Sequence, residues 1–327
     1  MKKTEISGVS MLSSISPRTA LATAAAMLVF VVASDASAAS ASTMGVQTRA
    51  SSLVASAAPE PSLATTVYST GFETNTNGAS LTAAGGGSWS RDGTGAAVIT
   101  NTAALVQSGT QAAQLTPGTS TAGTWLYRPS IANPAATAEP VITTSMGMNI
   151  TSPTTGTANR SVFMGLQLYD VSGTTYTTLG AAYLMWNGGS NITGLDANEL
   201  ALQFEWGTES IGYTFGAVTS AQLASVGYFD VSISLDYSTG SITFGWGNAT
   251  LGIPFALETT QGTFSGTGAF EADIYYQRGS TGGTLPRLSI DNFSITSAAA
   301  VPEPETWALM LGGLGCIGML ARRRKAQ

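Results

Sequence analysis

The sequence feature that most constrains the fold of this chain is a strict alternation of apolar and polar residues. In residues 198–207, for example, Leu200, Leu202 and Phe204 alternate with residues that are mostly polar. Successive side chains of a β-strand point to opposite faces of a sheet, so a period of two indicates a strand with one buried face. No long segment shows the 3.6-residue period of an amphipathic helix, which excludes a mainly helical domain.

The same alternation recurs along the chain. Residues 228–237 repeat it, and the turn residues 238–240 lead into a second alternating run, which predicts a β-hairpin. Further strands are predicted at 141–150, 161–169, 177–186, 270–276 and 288–295. Many antiparallel strands with one apolar face each predict an all-β, two-sheet antiparallel sandwich.

The N-terminal segment has the composition of an export signal. Three basic residues precede an apolar segment at 20–33, and small residues follow at 36–38. This order predicts a signal peptide over residues 1–38. Residues 39–64 are mostly Ala, Ser and Thr and predict a disordered linker, because they offer little apolar surface to bury.

The remainder divides into a domain and a tail. Residues 65–296 are predicted to form one β-sandwich domain, and residues 297–301 link it to a tail at 302–327. Within the tail, residues 307–321 form an uncharged apolar run, and the basic residues 322–325 follow it. This order predicts one short transmembrane helix of about 22 Å with a basic stop that stays in the cytoplasm.

The tail resembles the PEP-CTERM sorting signal. The residues that carry the resemblance are Pro302, Glu303, Pro304, Arg322, Arg323 and Arg324. In that family an exosortase, a processing protease, recognises the signal. The resemblance therefore implies an exported bacterial protein that is transiently anchored in the inner membrane, cleaved near residues 302–305, and released to the cell surface or extracellular matrix. The alternative is an ordinary C-terminal anchor.

Charge and residue types exclude several functions. Between residues 39 and 301, six arginines and no lysine stand against fifteen carboxylates, which leaves a net charge of −9. Nucleic acid is therefore excluded as a partner, because phosphate binding needs clustered cations. The chain has no His, and its one Cys, Cys316, lies in the apolar run of the tail. These facts exclude disulfides, His-based triads and the usual zinc sites, so any metal would have oxygen ligands.

Both ends of the predicted domain carry short motifs. Residues 68–73, with Trp89, and residues 290–295 resemble the opening and closing strands of concanavalin-A-like domains and jelly-roll carbohydrate-binding modules. In those domains a structural calcium is often held by groups from both terminal strands. The resemblance thus implies a jelly-roll topology and calcium ligands at Glu73 and Asp291.

The closing motif also predicts a β-bulge. The apolar phase set by Leu288 and Ile290 shifts to Phe293 and Ile295, and one extra residue at position 291 or 292 explains the shift. The alternative to a calcium site here is a solvated Glu73 and an aspartate that bonds its own turn.

Two alternating acids in residues 271–276 form the one pattern with a catalytic resemblance. Glu271, Asp273 and Tyr275 share one face of the predicted strand. They resemble the Glu-x-Asp-x-x-Glu strand of laminarinase-like glycoside hydrolases, whose two Glu residues are the nucleophile and the acid/base. Tyr276 stands where the last Glu belongs, so this strand lacks the proton donor, and a carboxylate from another strand, such as Glu205 or Glu209, would have to substitute for it. We therefore expect no enzyme.

Polar and aromatic residues on the outward faces suit glycan binding, because sugars stack on aromatic rings and pair with carboxyl and amide groups. The candidate ligand-binding residues are Gln203, Glu205, Tyr228, Glu271, Asp273 and Tyr275. An ordinary polar outer face is the alternative. We therefore expect an exported envelope or matrix protein with a structural or adhesive role associated with exopolysaccharide. The other hypotheses are a carbohydrate-binding module and a laminarinase-like hydrolase.

Overall fold

The structure of the chain is a computed structural model. It describes residues 2–4, 64–87, 89–119, 121–127, 131, 139–189, 192–262, 268–279 and 283–298. The predicted tail and almost all of the predicted signal peptide and linker lie outside these ranges, so those assignments stay predictions. Within these ranges no helix is long and apolar enough to cross a membrane.

The described residues form β-strands and a few short 3-10 helices. The strands are β1 (Lys2–Thr4), β2 (Thr65–Thr70), β3 (Ser90–Asp92), β4 (Ala96–Thr100), β5 (Ala112–Thr116), β6 (Thr124–Tyr127), β7 (Val141–Thr151), β8 (Val162–Ser172), β9 (Thr175–Trp186), β10 (Glu199–Trp206), β11 (Glu209–Ala217), β12 (Phe229–Asp236), β13 (Ser241–Asn248), β14 (Ile253–Gln261), β15 (Ala269–Arg278) and β16 (Arg287–Ala298). The 3-10 helices are Ala84–Gly86, Ala103–Leu105 and Gln222–Ser225.

The strands build two antiparallel sheets of eight strands each. The first sheet has the order β1-β11-β10-β9-β8-β15-β6-β3. The second has the order β14-β13-β12-β7-β16-β5-β4, and β2 pairs with β16 beside that path. The predicted all-β, two-sheet antiparallel fold is therefore confirmed, and so is the β12–β13 hairpin.

The apolar residues of the alternating runs meet between the sheets. Leu202 and Phe204 come from the first sheet, and Val231, Ile233 and Phe244 come from the second, and all are buried in one core cluster. The central strands of both sheets contribute every second residue to this core, as the period of two predicts, whereas the edge strand β14 is mostly exposed. The position of the core therefore follows directly from the sequence pattern.

The closing strand contains the predicted β-bulge. Asp291 of β16 stands opposite Gly147 of β7, whereas Ser294 stands opposite Ser145, so β16 carries one extra residue. Asn292 has φ 52°, the left-handed conformation that a bulge often requires. The bulge re-aims Asp291 toward the loop that precedes β5, where its contacts are described below.

Candidate functional site

Five of the six predicted ligand-binding residues lie on the face of the first sheet that points away from the core. They are Gln203, Glu205, Glu271, Asp273 and Tyr275. Strand pairing brings them to one surface: Gln203 of β10 stands opposite Tyr183 of β9, and Asp273 of β15 stands opposite Gln167 of β8. We call this surface the polar face.

The polar face is organised by the side-chain amide of Gln167. Its Oε1 accepts hydrogen bonds from Trp125 Nε1 at 2.9 Å and from the Tyr169 hydroxyl at 2.7 Å. Its Nε2 donates to the Tyr183 hydroxyl at 2.6 Å. Three strands are tied together through this one amide. None of these four residues was predicted from the sequence; the alternation in residues 161–169 is a signal that could have placed Gln167 and Tyr169 on an outward face.

Two aromatic contacts extend the network. The rings of Trp125 and Tyr275 lie 5.1 Å apart, and those of Tyr183 and Tyr275 lie 6.1 Å apart. Gly165 stands between Tyr183 and Tyr275 in the strand register. A Cβ at Gly165 would lie 2.6 Å from Tyr183 Cδ1, so a larger residue there would displace the ring. Gly165 thus allows the tyrosines to meet.

Most of the polar face is not solvated. Glu271 is 3% exposed and Asp273 is 1% exposed, so this part of the sheet face is covered rather than open to solvent. Trp125, Glu205 and Tyr275 are half-buried instead. The partly exposed part of the polar face therefore includes Trp125, Glu205 and Tyr275.

Burial changes the acidity of the groups on this face. Burial raises the pKa of Glu205 to about 7, because the charged carboxylate loses hydration. The side-chain amide of Gln203 donates to Glu205 Oε1 at 2.8 Å. Burial also raises the pKa of Tyr169, and the negative charge of Asp273 raises it further. At neutral pH the carboxyl group of Glu205 can therefore both donate and accept hydrogen bonds.

Tyr228 lies apart from the other five candidates. It directly precedes β12 in the second sheet, and its hydroxyl donates to the carbonyl oxygen of Leu105 at 2.6 Å and contacts Ser289 Oγ at 2.9 Å. These contacts anchor the 3-10 helix at Ala103–Leu105 to the second sheet. Alternation alone gives the face of a strand but not the sheet to which the strand belongs.

The two acids of β15, Glu271 and Asp273, are not followed by a carboxyl group at position 276, where the resembled hydrolases have their acid/base residue. β15 pairs with β8 in regular register from residue 269 to residue 278, with no bulge. Position 276 therefore faces the core, where the Tyr276 side chain is fully buried. The geometry thus provides no acid/base group at this position of the resembled hydrolase motif.

Glu73 and Asp291 meet at a second polar location, where both bind the loop at residues 107–111. Asp291 Oδ2 accepts hydrogen bonds from the backbone N–H groups of Gln107 and Ser108 at 3.0 and 3.1 Å. Its Oδ1 accepts from the N–H of Asn292 at 2.8 Å. A side chain from the last strand thus holds a loop that is far away in the sequence. We call this location the junction.

Glu73 binds the same loop three residues further on. Its carboxylate accepts from the hydroxyl of Thr110 at 2.7 Å and from the N–H groups of Thr110 and Gln111. These hydrogen bonds, first that of the hydroxyl, lower the pKa of Glu73. Burial, by contrast, raises the pKa of Asp291, against the effect of the N–H donors.

The junction brings together the two residues predicted to bind calcium. Carboxylate oxygens are the ligands that calcium prefers, so both side chains have suitable chemistry. Their oxygens, however, already accept hydrogen bonds from the loop. The described part of the chain contains no group of three or more Asp, Glu, His or Cys residues placed to hold a metal ion. Calcium at Glu73 and Asp291 stays a prediction.

Comparison with protein families identifies the tail. Residues 300–325 match the PEP-CTERM protein-sorting motif, which confirms the resemblance seen in the sequence. A comparison with curated proteins finds no match.

Among solved structures, similar chains include carbohydrate-related β-proteins. The CBM2 module of the evolved Dit of Lactobacillus casei BL23 phage J-1 is 10% identical over 74% of this chain and 99% of its own, with a TM-score of 0.42. Lectin II from Ulex europaeus is 10% identical over 72% and 100%, with a TM-score of 0.41. The endo-1,3-beta-glucanase from Streptomyces sioyaensis is 15% identical over 75% and 100%, with a TM-score of 0.40. The two sheets of this chain, rather than these likenesses, define its fold.

Proposed function

We propose that this chain is an exported envelope or matrix protein that binds polysaccharide through the polar face, in a structural or adhesive role. The single observation that carries the proposal is the half-buried ring pair of Trp125 and Tyr275, whose rings lie 5.1 Å apart on the polar face. Sugar rings present C–H faces that stack on aromatic rings, and their hydroxyl groups pair with carboxyl and amide groups.

The buried residues beneath this ring pair support a binding role. Gln167 holds the indole N–H of Trp125, and the Tyr275 hydroxyl donates to Gln277. A buried polar network is favourable only when its members are satisfied, and it then fixes the side chains in one arrangement. A ring pair held in this way loses little conformational entropy when a ligand binds.

Binding without hydrolysis fits the positions of the acids. Asp273 and Glu205 are separated by three strand spacings, about 14 Å, whereas glycoside hydrolysis needs two carboxyl groups about 5 to 9.5 Å apart. Glu271 and Asp273 are neighbours on β15, but both are almost completely buried. We therefore propose that the sugar is bound and released unchanged.

The role of Trp125 and Tyr275 can be tested with a glycan array on the purified full-length chain, followed by affinity measurements on the best ligand. We expect Trp125→Ala to weaken binding by about tenfold or more, because one buried aromatic often dominates an interface. The matched control is Phe255→Ala, which removes an aromatic side chain that is 55% exposed on the other sheet. Equal affinities of the two variants, or no glycan bound by the folded wild-type chain, would contradict the proposal.

Sorting of the chain forms the second part of the proposal. The motif at residues 300–325 supports processing by an exosortase after transient anchoring in the inner membrane. We expect mass spectrometry of the exported protein to find its C-terminus near residues 302–305. A peptide containing Arg322, Arg323 and Arg324 in the exported protein would show that the tail is kept, and would leave the glycan-binding part of the proposal unaffected.

A further inference from the structure

Two arginines lie side by side at one end of the sandwich. Arg278, the last residue of β15, stands opposite Val162 of β8, and the pairing continues where Gly279 N–H donates to the Ser161 carbonyl at 2.7 Å. Arg160 is two residues before Val162, so it lies diagonally across from Arg278 on the same face of the strand pair. Their charges interact, since Arg160 lowers the pKa of Arg278 after the larger effect of desolvation.

Neither guanidinium has a carboxylate partner among the described residues. Arg160 is only 6% exposed, and its Nε has no hydrogen-bond partner. Arg278 is half-buried, its terminal nitrogen donates to the Pro117 carbonyl at 3.1 Å, and its Nε is also without a partner. The site is therefore buried on the Arg160 side and reaches solvent on the Arg278 side.

This arrangement is costly for the protein alone. A guanidinium cannot release its proton at physiological pH, so it cannot avoid the cost of burial by becoming neutral. Buried charges are normally paired, and two like charges at close range add repulsion to the lost hydration. The chain has fifteen carboxylates between residues 39 and 301, and yet none of the described ones pairs with Arg160 or Arg278.

Nearby polar groups do not supply the missing acceptor. Asn159 Oδ1 accepts from the N–H of Thr284 at 2.8 Å, and Ser161 Oγ donates to Asn187. The backbone of Gly283 passes close by, because a Cβ there would lie 3.3 Å from Arg160 Nε. The surrounding chain thus holds Arg160 in place and leaves its Nε without an acceptor.

We propose that Arg160 and Arg278 together bind an oxyanion. Guanidinium groups present paired N–H donors that match the two oxygens of a carboxylate or the oxygens of a sulfate. The same chemistry is offered by a free inorganic anion and by the uronate or sulfate groups of an acidic polysaccharide. The site lies at the end of the sandwich, at the edge of the core, and is separate from the polar face.

The site can be tested by thermal unfolding of the purified full-length chain in sodium chloride, sodium sulfate and sodium glucuronate at equal ionic strength. We expect sulfate or glucuronate to raise the Tm of the wild type above its value in chloride. Arg160→Met and Arg278→Met should lose this difference, and directly measured affinity should fall about tenfold or more. A response to glucuronate alone identifies a sugar carboxylate as the ligand, whereas a response to sulfate alone identifies a sulfate group, and a sulfated oligosaccharide then shows whether that group is accepted on a sugar or only as the free anion.

Arg287→Met is the matched control. Arg287 is the first residue of β16, and its Nε already donates to the Ser152 carbonyl at 2.9 Å. This variant should therefore keep the wild-type response. Arg160→Met should also be at least as stable as the wild type in chloride, because it removes an uncompensated charge. If Arg160→Met does not fold, Arg278→Met decides the test. Equal oxyanion responses in the wild type and in Arg278→Met would overturn the proposal.

Discussion

The junction and the polar face both concentrate carboxyl groups, but they satisfy them in different ways. At the junction, Asp291 and Glu73 accept hydrogen bonds from the peptide N–H groups of one loop. On the polar face, the nearest partner of Glu205 is the side-chain amide of Gln203. Backbone donors are fixed by the fold, whereas the position of a side-chain donor depends on how its neighbours pack. The junction therefore depends on the path of one loop, and the polar face depends on side-chain packing across several strands.

The directions of the pKa shifts follow the same difference. Hydrogen bonds lower the pKa of the exposed Glu73, so its charged form is favoured in the folded protein. Burial raises the pKa of Glu205 to about 7, so its neutral form is favoured. Asp291 is intermediate, because burial raises its pKa while three N–H donors oppose that effect. The balance of burial and hydrogen bonding, rather than residue type, decides the direction of each pKa shift.

The largest effect is expected from breaking the junction at Asp291. Asp291→Ala should destabilise the chain by about 2 to 5 kcal/mol, because the N–H groups of Gln107, Ser108 and Asn292 lose their acceptor. Urea unfolding of the full-length chain measures the change. Asp230→Ala is the matched control, since it removes an acid that, among the described residues, accepts from the Gln107 side chain alone, and it should cost about 1 kcal/mol or less. Equal losses of unfolding free energy in both variants would show that the hydrogen bonds at the junction stabilise the chain no more than a single contact does.

An intermediate effect is expected from Glu205, and its sign depends on pH. The folded chain keeps the proton of Glu205 up to about pH 7, whereas the unfolded chain releases it near 4.5. Glu205 therefore makes its full contribution to the free energy of unfolding below pH 4.5. As the pH rises from 4.5 to 7 this contribution is lost, and the free energy of unfolding falls by about 1 to 3 kcal/mol. Glu205→Gln should remove this loss, so the difference in unfolding free energy between pH 5 and pH 8 should shrink. An unchanged difference would place the titration on another group.

The smallest effect is expected from calcium at the junction. Calcium would have to share carboxylate oxygens that already accept N–H groups, so we predict weak binding and a stabilisation of about 1 kcal/mol at a few times its Kd. The Tm should rise with millimolar calcium, fall with chelator, and no longer respond in Glu73→Gln. A shift no larger than that produced by sodium chloride of equal ionic strength would mean screening of repelling acids rather than a site.

The candidate site was only partly predictable. The sequence placed Glu271, Asp273 and Tyr275 on one face of a strand, and the structure keeps them there. It could not assign Tyr228 to the second sheet or reveal Gln167 as the centre of the network. These facts depend on which strands are neighbours, and strands that pair in this fold are often far apart in the chain.

The sequence by itself determined the all-β class, the core-facing side of the strands with clear alternation and the bulge in β16, because these depend on the local period of apolar residues. It also determined the sorting motif, which is a linear signal. Only the tertiary structure decided which polar residues are buried together and which arginines remain without acids. The physical reason is that strand order and register are set by long-range packing between two sheets, and burial and charge pairing depend on that order.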